Sequence, residues 1–89
     1  MKIYLSPISM LATLDASVSG DTITVNGITH SLLGLVELVE NELLLPDFIV
    51  AATDDSVTLL LPYWGEASEA VRFPVPIIDP PDGPLALPS

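Results

Sequence analysis

The chain has 89 residues, the scale of one domain, and its 49% hydrophobic content suffices for a core that Leu, Val and Ile must mostly fill, because aromatics make up only 6%. It has no cysteine, which excludes disulfides, thiolate metal sites and a cysteine nucleophile. Twelve Asp and Glu against Lys2 and Arg72 give a net charge of −10 and a pI near 4.1, so direct nucleic-acid or anionic-membrane binding is not expected.

The chain begins MKIYLSPISM, where residues 2–5 make a short strand ended by Ser6-Pro7. The same pair interrupts any apolar run long enough for a signal peptide. Residues 11–18, LATLDASV, alternate at Leu14, Ala16 and Val18 as a half-buried strand does. Ser19-Gly20-Asp21 is turn chemistry. The run DTITVNGITHSLL then places two β-favouring segments around Asn26-Gly27. That pair suits a type I′ turn, whose two central residues both need positive φ, and it sets Val25 opposite Ile28.

Residues 32–45, LLGLVELVENELLL, read as a short helix or an apolar loop. Leu32, Leu35, Val36, Val39 and Leu43 share one helical face, but Gly34 interrupts it, no good N-cap precedes it, and Pro46 closes it. Glu37, Glu40 and Glu42 keep this stretch from spanning a bilayer. With neither a signal peptide nor a spanning segment, the expected location is the cytoplasm or a particle assembled there. A second hairpin follows, with strands FIVAA and SVTLLL joined at Thr53-Asp54-Asp55, the second strand reading as buried on both faces. Pro62 and Gly65 mark its exit, and EASE at 66–69 is a solvated link. Residues 70–78, AVRFPVPII, alternate at Val71, Phe73, Val75 and Ile77. Pro74 and Pro76 cannot donate to a ladder, so this is expected as an edge strand whose missing donors protect it from aggregation.

Six of the nine prolines lie at or beyond position 74, so DPPDGPLALPS is expected to be extended, either wrapped over the domain or free. The fold class is therefore mainly β: a small antiparallel sandwich or barrel-like domain over residues 1–78, with a proline-rich arm at 79–89.

Chemistry is hard to find. His30 is the lone histidine, beside Ser31, and reads as a strand residue rather than a catalytic base or metal ligand. The carboxylate pairs Glu37/Glu40, Asp54/Asp55 and Glu66/Glu69 could in principle serve acid–base catalysis, but so small a domain has little room for a cleft, and Asp54-Asp55 suits a turn. Asp79 and Asp82-Gly83 come nearest a calcium loop, and the prolines between them deny its geometry. Neither GxGxxG nor a Walker lysine is present. No catalytic residue, metal or cofactor is assigned, and no small-molecule substrate is expected. Tyr63-Trp64 is the single aromatic patch, either a core plug or a binding anchor.

In order along the chain, MKIYLSPI, GDTITVNG, VTLLLP and RFPVPIIDPPDGPLALP resemble small proteins encoded in the tail modules of bacteriophages and prophages of Gram-negative bacteria, beside tail-tip or tail-fibre genes. These phrases cover about half the chain, with residues 31–52 the least similar. The resemblance implies a non-enzymatic virion component or tail-assembly factor, binding other tail proteins or itself. It carries over no catalytic residue. Tyr63, Trp64, Phe73, Val75, Leu85 and Leu87 are then the expected partner-binding residues, the strand at 70–78 or the arm adding onto a neighbour by backbone pairing and apolar pegs. The alternative is an acidic decoy for a host nucleic-acid-binding protein, motivated by the −10 charge.

Overall fold

The computed structural model describes residues 1–88; Ser89, the last residue of the expected arm, lies outside them. The protein is mainly β. In chain order it runs β1 (Lys2–Ser9), β2 (Ala16–Ser19), β3 (Thr22–Val25), β4 (Ile28–Ser31), α1 (Leu32–Glu40), β5 (Ile49–Ala52), β6 (Ser56–Tyr63), α2 (Glu69–Arg72), β7 (Ile77–Ile78) and β8 (Gly83–Pro84). Two four-stranded sheets form, ordered β5-β6-β1-β7 and β4-β3-β2-β8. The chain lays β1 in the first sheet, builds the β2–β4 meander and α1, and returns as the β5–β6 hairpin. It then stitches a short strand onto the free side of each sheet.

Both sheets bury one face in a shared apolar cluster. Ile3, Val57 and Leu59 come from the first sheet, Ala16, Val18, Ile23 and Val25 from the second, and Leu32 and Leu35 from α1. The alternation of inward apolar residues on β2 and β3 is the period-two signature of a strand with one face on a core.

The central contact, β1 with β6, is parallel and in register over eight residues, from Lys2↔Ser56 to Ser9↔Tyr63. An all-antiparallel sandwich does not include such a pair. It requires the long crossover through the second sheet, since hairpin loops join only antiparallel strands. The Ser6-Pro7 pair does not end β1, and Pro62 lies inside β6. Both prolines are tolerated for the same reason. Lys2 and Met10 donate their N–H groups to the carbonyls of Asp55 and Tyr63, so even-numbered residues of β1 face β6 and Pro7 faces away. Leu60 donates to the Phe48 carbonyl, so Pro62 faces the β5 side, above the point where β5 begins. Neither missing donor falls in the parallel ladder.

Asn26 and Gly27 join β3 to β4 with φ of 48° and 87°, and Val25 pairs with Ile28. The Asn26 side chain accepts a 2.8 Å hydrogen bond from the Asp15 backbone, tying the turn to the segment that enters β2. Of the expected strand at 11–18 only residues 16–18 are in the sheet, and β2 runs one residue further, to Ser19 of the expected turn.

Residues 32–40 are a helix, and it has the N-cap that sequence reading does not find: Ser31 Oγ accepts the Gly34 N–H at 3.0 Å. A Cβ on Gly34 would sit 2.8 Å from that oxygen, so the glycine that interrupts the apolar face makes room for the cap. At the other end Glu42 N–H bonds the Val39 carbonyl and Leu43 N–H the Leu38 carbonyl, a Schellman closure with Glu42 at φ 56° where glycine is usual.

The hairpin at 48–63 forms with a bulge: Ile49 opposes Leu59, Ala51 opposes Thr58, and Val50 is the extra residue. The bulge lets Ile49 and Ala52, three apart, both point inward. On β6 Val57, Leu59 and Leu61 are buried, whereas Thr58 and Leu60 are half-buried, so the second face of this strand is not closed over.

The expected edge strand at 70–78 is mostly not a strand. Ser68 caps α2, accepting the Val71 N–H, with Glu69 in the first turn and Arg72 in the last, charges that suit a helix dipole. Helical capping wins over alternation until Pro74 stops it. Only Ile77 and Ile78 pair with β1, at Ile3 and Lys2. The 79–88 arm is built into the fold: β8 pairs with β2, Leu85 N–H bonds the Ala16 carbonyl, and Leu85 lies in the core.

Candidate functional site

The six residues expected to meet a partner separate into two groups. Trp64, Phe73 and Val75 are 65%, 70% and 79% exposed, and all belong to the segment that leaves β6 and crosses to β7. Tyr63 and Leu87 are half-buried, and Leu87 packs against the core. Leu85, at 8% exposure, is a core residue and cannot be a peg for a neighbour; the apolar pattern of the arm serves its own domain. Phe73, Val75 and Leu87 nevertheless meet, since they line one open cleft of about 260 Å³ together with Ala70 and Ile77. The Arg72 guanidinium lies 5.9 Å from the Phe73 ring centroid, within reach of a cation–π contact. Pro74 and Pro76 hold this segment extended and present its side chains at low entropic cost.

The residues weighed for chemistry are dispersed. His30 is half-buried on β4 opposite Ile23. Glu37 and Glu40 are exposed on α1. Asp55 accepts a 3.0 Å bond from the Thr53 hydroxyl within the β5–β6 turn. Asp82 accepts the Gly20 N–H at 3.0 Å, and Asp79 pairs with the Met1 ammonium at 3.0 Å. Among the described residues no group of three or more His, Asp or Glu is placed to hold a metal ion. Among the described residues no helix is long and apolar enough to cross a membrane.

The outer faces of the two sheets differ in a way that composition does not foretell. On the second sheet the outward residues are Ser17, Ser19, Thr22, Thr24, Thr29 and Ser31, aligned in register across β2, β3 and β4. Thr24 and Thr29 share a 2.8 Å hydroxyl–hydroxyl bond. This is the polar solvent face of an ordinary antiparallel sheet. The first sheet breaks that rule. Its outward positions include Tyr4, Ile8 and Val50, 40%, 38% and 48% exposed, with Leu60 between β1 and β5. At one end of this face Met10, Asp47, Phe48 and Leu60 line a cleft of about 320 Å³. Phe48 there has φ of 70°, a conformation that costs an aromatic residue roughly 1–2 kcal/mol. The Ile49 N–H bonds the Pro46 carbonyl, closing the turn that holds it. The sequence signal for this face is apolar residues at both parities of β1, as in Ile3-Tyr4-Leu5, which the hydroxyl-alternating β2 and β3 lack.

No family model, no curated protein and no solved structure matches this chain.

Proposed function

We propose that this protein is a non-enzymatic contact module of a phage tail, either a part of the particle or a factor in its assembly. The observation that carries the reading is the exposure of Trp64, Phe73 and Val75 on one proline-stiffened crossing segment. Phe73 and Val75 share one cleft, and Trp64 stands exposed earlier on the same segment. Exposed large apolar side chains on so small a domain suit a protein-binding site, and Trp in particular acts as an anchor. The tail setting rests on the phrases at 1–8, 20–27, 57–62 and 72–88, which are similar to those of tail-module proteins.

The test is genetic. Deleting the gene from the encoding phage or prophage should stop functional tails from forming. The wild-type gene should restore them, and a W64S/F73S/V75S version that folds normally should not. Normal tails after deletion would overturn the tail role. Restoration by the triple variant would overturn the assignment of the contact residues.

A second reading, an acidic decoy for a host nucleic-acid-binding protein, has one feature in its favour. Asp54 and Asp21 line one cleft, Asp55 adjoins Lys2, Asp79 pairs with Met1, and Asp82 caps Gly20, so five carboxylates collect at one end of the sandwich. Host-protein binding that survives W64S/F73S/V75S but is lost in high salt would favour this reading.

A further inference from the structure

The outer face of the first sheet is a different surface from the crossing segment, and its chemistry selects an occupant. β1 and β6 run side by side for eight residues, roughly 26 Å at strand rise. Along that length the outward residues of β1 are Lys2, Tyr4, Ser6 and Ile8, opposite Thr58, Leu60 and Pro62 of β6. None is acidic, in a chain of twelve acids. The carboxylates stand at the two ends instead. Asp54 and Asp55 form the turn beside Lys2, and Asp47 lines the cleft with Met10, Phe48 and Leu60. Along the middle of the face Tyr4, Ile8 and Leu60 alternate with the hydroxyls of Ser6 and Thr58, and carboxylates stand at both ends, with Lys2 its one cation.

We propose that this face docks an amphipathic helix of a basic partner, with an apolar stripe across Tyr4, Ile8 and Leu60 and Lys or Arg at each end. A sheet that leaves an apolar face uncovered is completed by a helix or another sheet. A face of about 26 Å accommodates a helix of about 17 residues. Charge decides between the candidates. A second copy stacked on the same face would bring acidic ends together and add to the repulsion between two molecules of net charge −10. A basic helix meets the ends with opposite charge and the middle with apolar surface. The cleft at Met10 and Phe48 would take one large side chain of the stripe. The Phe48 backbone at positive φ fits a position held for such a site.

The experiment uses two synthetic helical peptides of about 18 residues with the same leucine stripe, one with lysine and one with glutamate at the remaining positions, titrated by calorimetry into the full chain. The lysine peptide should bind saturably at one per chain and the glutamate peptide should not. Y4S/I8S should weaken binding by about tenfold or more while still folded at the assay temperature, and F73S/V75S should leave binding unchanged. V50S, across the face, supplies a second reading if Y4S/I8S unfolds. Equal binding of the lysine peptide to wild type, Y4S/I8S and V50S would mean charge attraction alone and overturn the proposal. Binding lost in F73S/V75S alone would move the site to the crossing segment. Sedimentation showing a dimer that Y4S/I8S dissociates would make the occupant a second copy. Either of these last two results also overturns the proposal. The tail reading stands or falls separately, on the deletion phenotype.

Discussion

Gly34 and Ser31 offer a quantitative check on how α1 begins. Replacing a helical glycine by alanine normally stabilises by about 1 kcal/mol. Here the new Cβ would lie 2.8 Å from Ser31 Oγ, forcing the hydroxyl to rotate away and break its 3.0 Å bond with the residue-34 N–H. Losing a serine N-cap costs about 1 kcal/mol. The two effects cancel, so G34A in the wild type should leave stability nearly unchanged. S31A alone should lose about 1 kcal/mol, and in that background G34A should recover about 1 kcal/mol because no hydroxyl remains in its way. The double variant should therefore match the wild type, with a coupling of about 1 kcal/mol from urea denaturation at constant m-value. If G34A stabilises the wild type by the full helix-propensity increment, the effects are additive and the close packing of cap and glycine is refuted.

Three further outcomes follow from the same geometry. E42G should stabilise the protein by about 1 kcal/mol, since glycine adopts the φ of 56° at the Schellman position freely; a loss in urea denaturation would contradict that closure. L59A, at a fully buried β6 position, should cost roughly 2–5 kcal/mol, while L60A on the opposite, half-buried face should cost about 1 kcal/mol; equal losses would mean both faces are closed. L85A should lower the melting temperature by roughly 10 °C or more, because Leu85 is a core residue; an unchanged melting temperature would return the arm to the surface.

What was legible in the sequence is what local chemistry decides. Asn26-Gly27 demands two positive φ angles in succession and sits between runs that alternate, and both features are readable without a structure. The same holds for the Thr53-Asp54-Asp55 connection. Residues 32–45 were ambiguous because the helix ends without the usual signs: Ser31 is both the last residue of β4 and the N-cap, and a glutamate stands where a glycine would announce the C-terminus. The parallel pairing of β1 with β6 was not readable, since it joins segments more than fifty residues apart, as in Lys2↔Ser56, and leaves no local signature. Ser6-Pro7 reads as a strand end although β1 runs on to Ser9, for a related reason. A proline ends a strand only if its missing donor falls in the ladder, and which side it faces depends on the neighbour. At 70–78 alternation was present, but Ser68 and Glu69 open a helix first. Among the expected contact residues, Trp64, Phe73 and Val75 are exposed and Leu85 is buried. Sequence shows an apolar side chain in a proline-rich arm but not whether its own core already holds it.

The most direct test of the contact-module account is site-specific photocrosslinking in induced cells, with the probe placed in turn at positions 64, 73 and 54. The account predicts discrete adducts from 64 and 73 with a protein encoded in the same tail module, and none from 54 in the acidic turn. Adducts from 54 alone, formed with a host nucleic-acid-binding protein and lost in high salt, would contradict it.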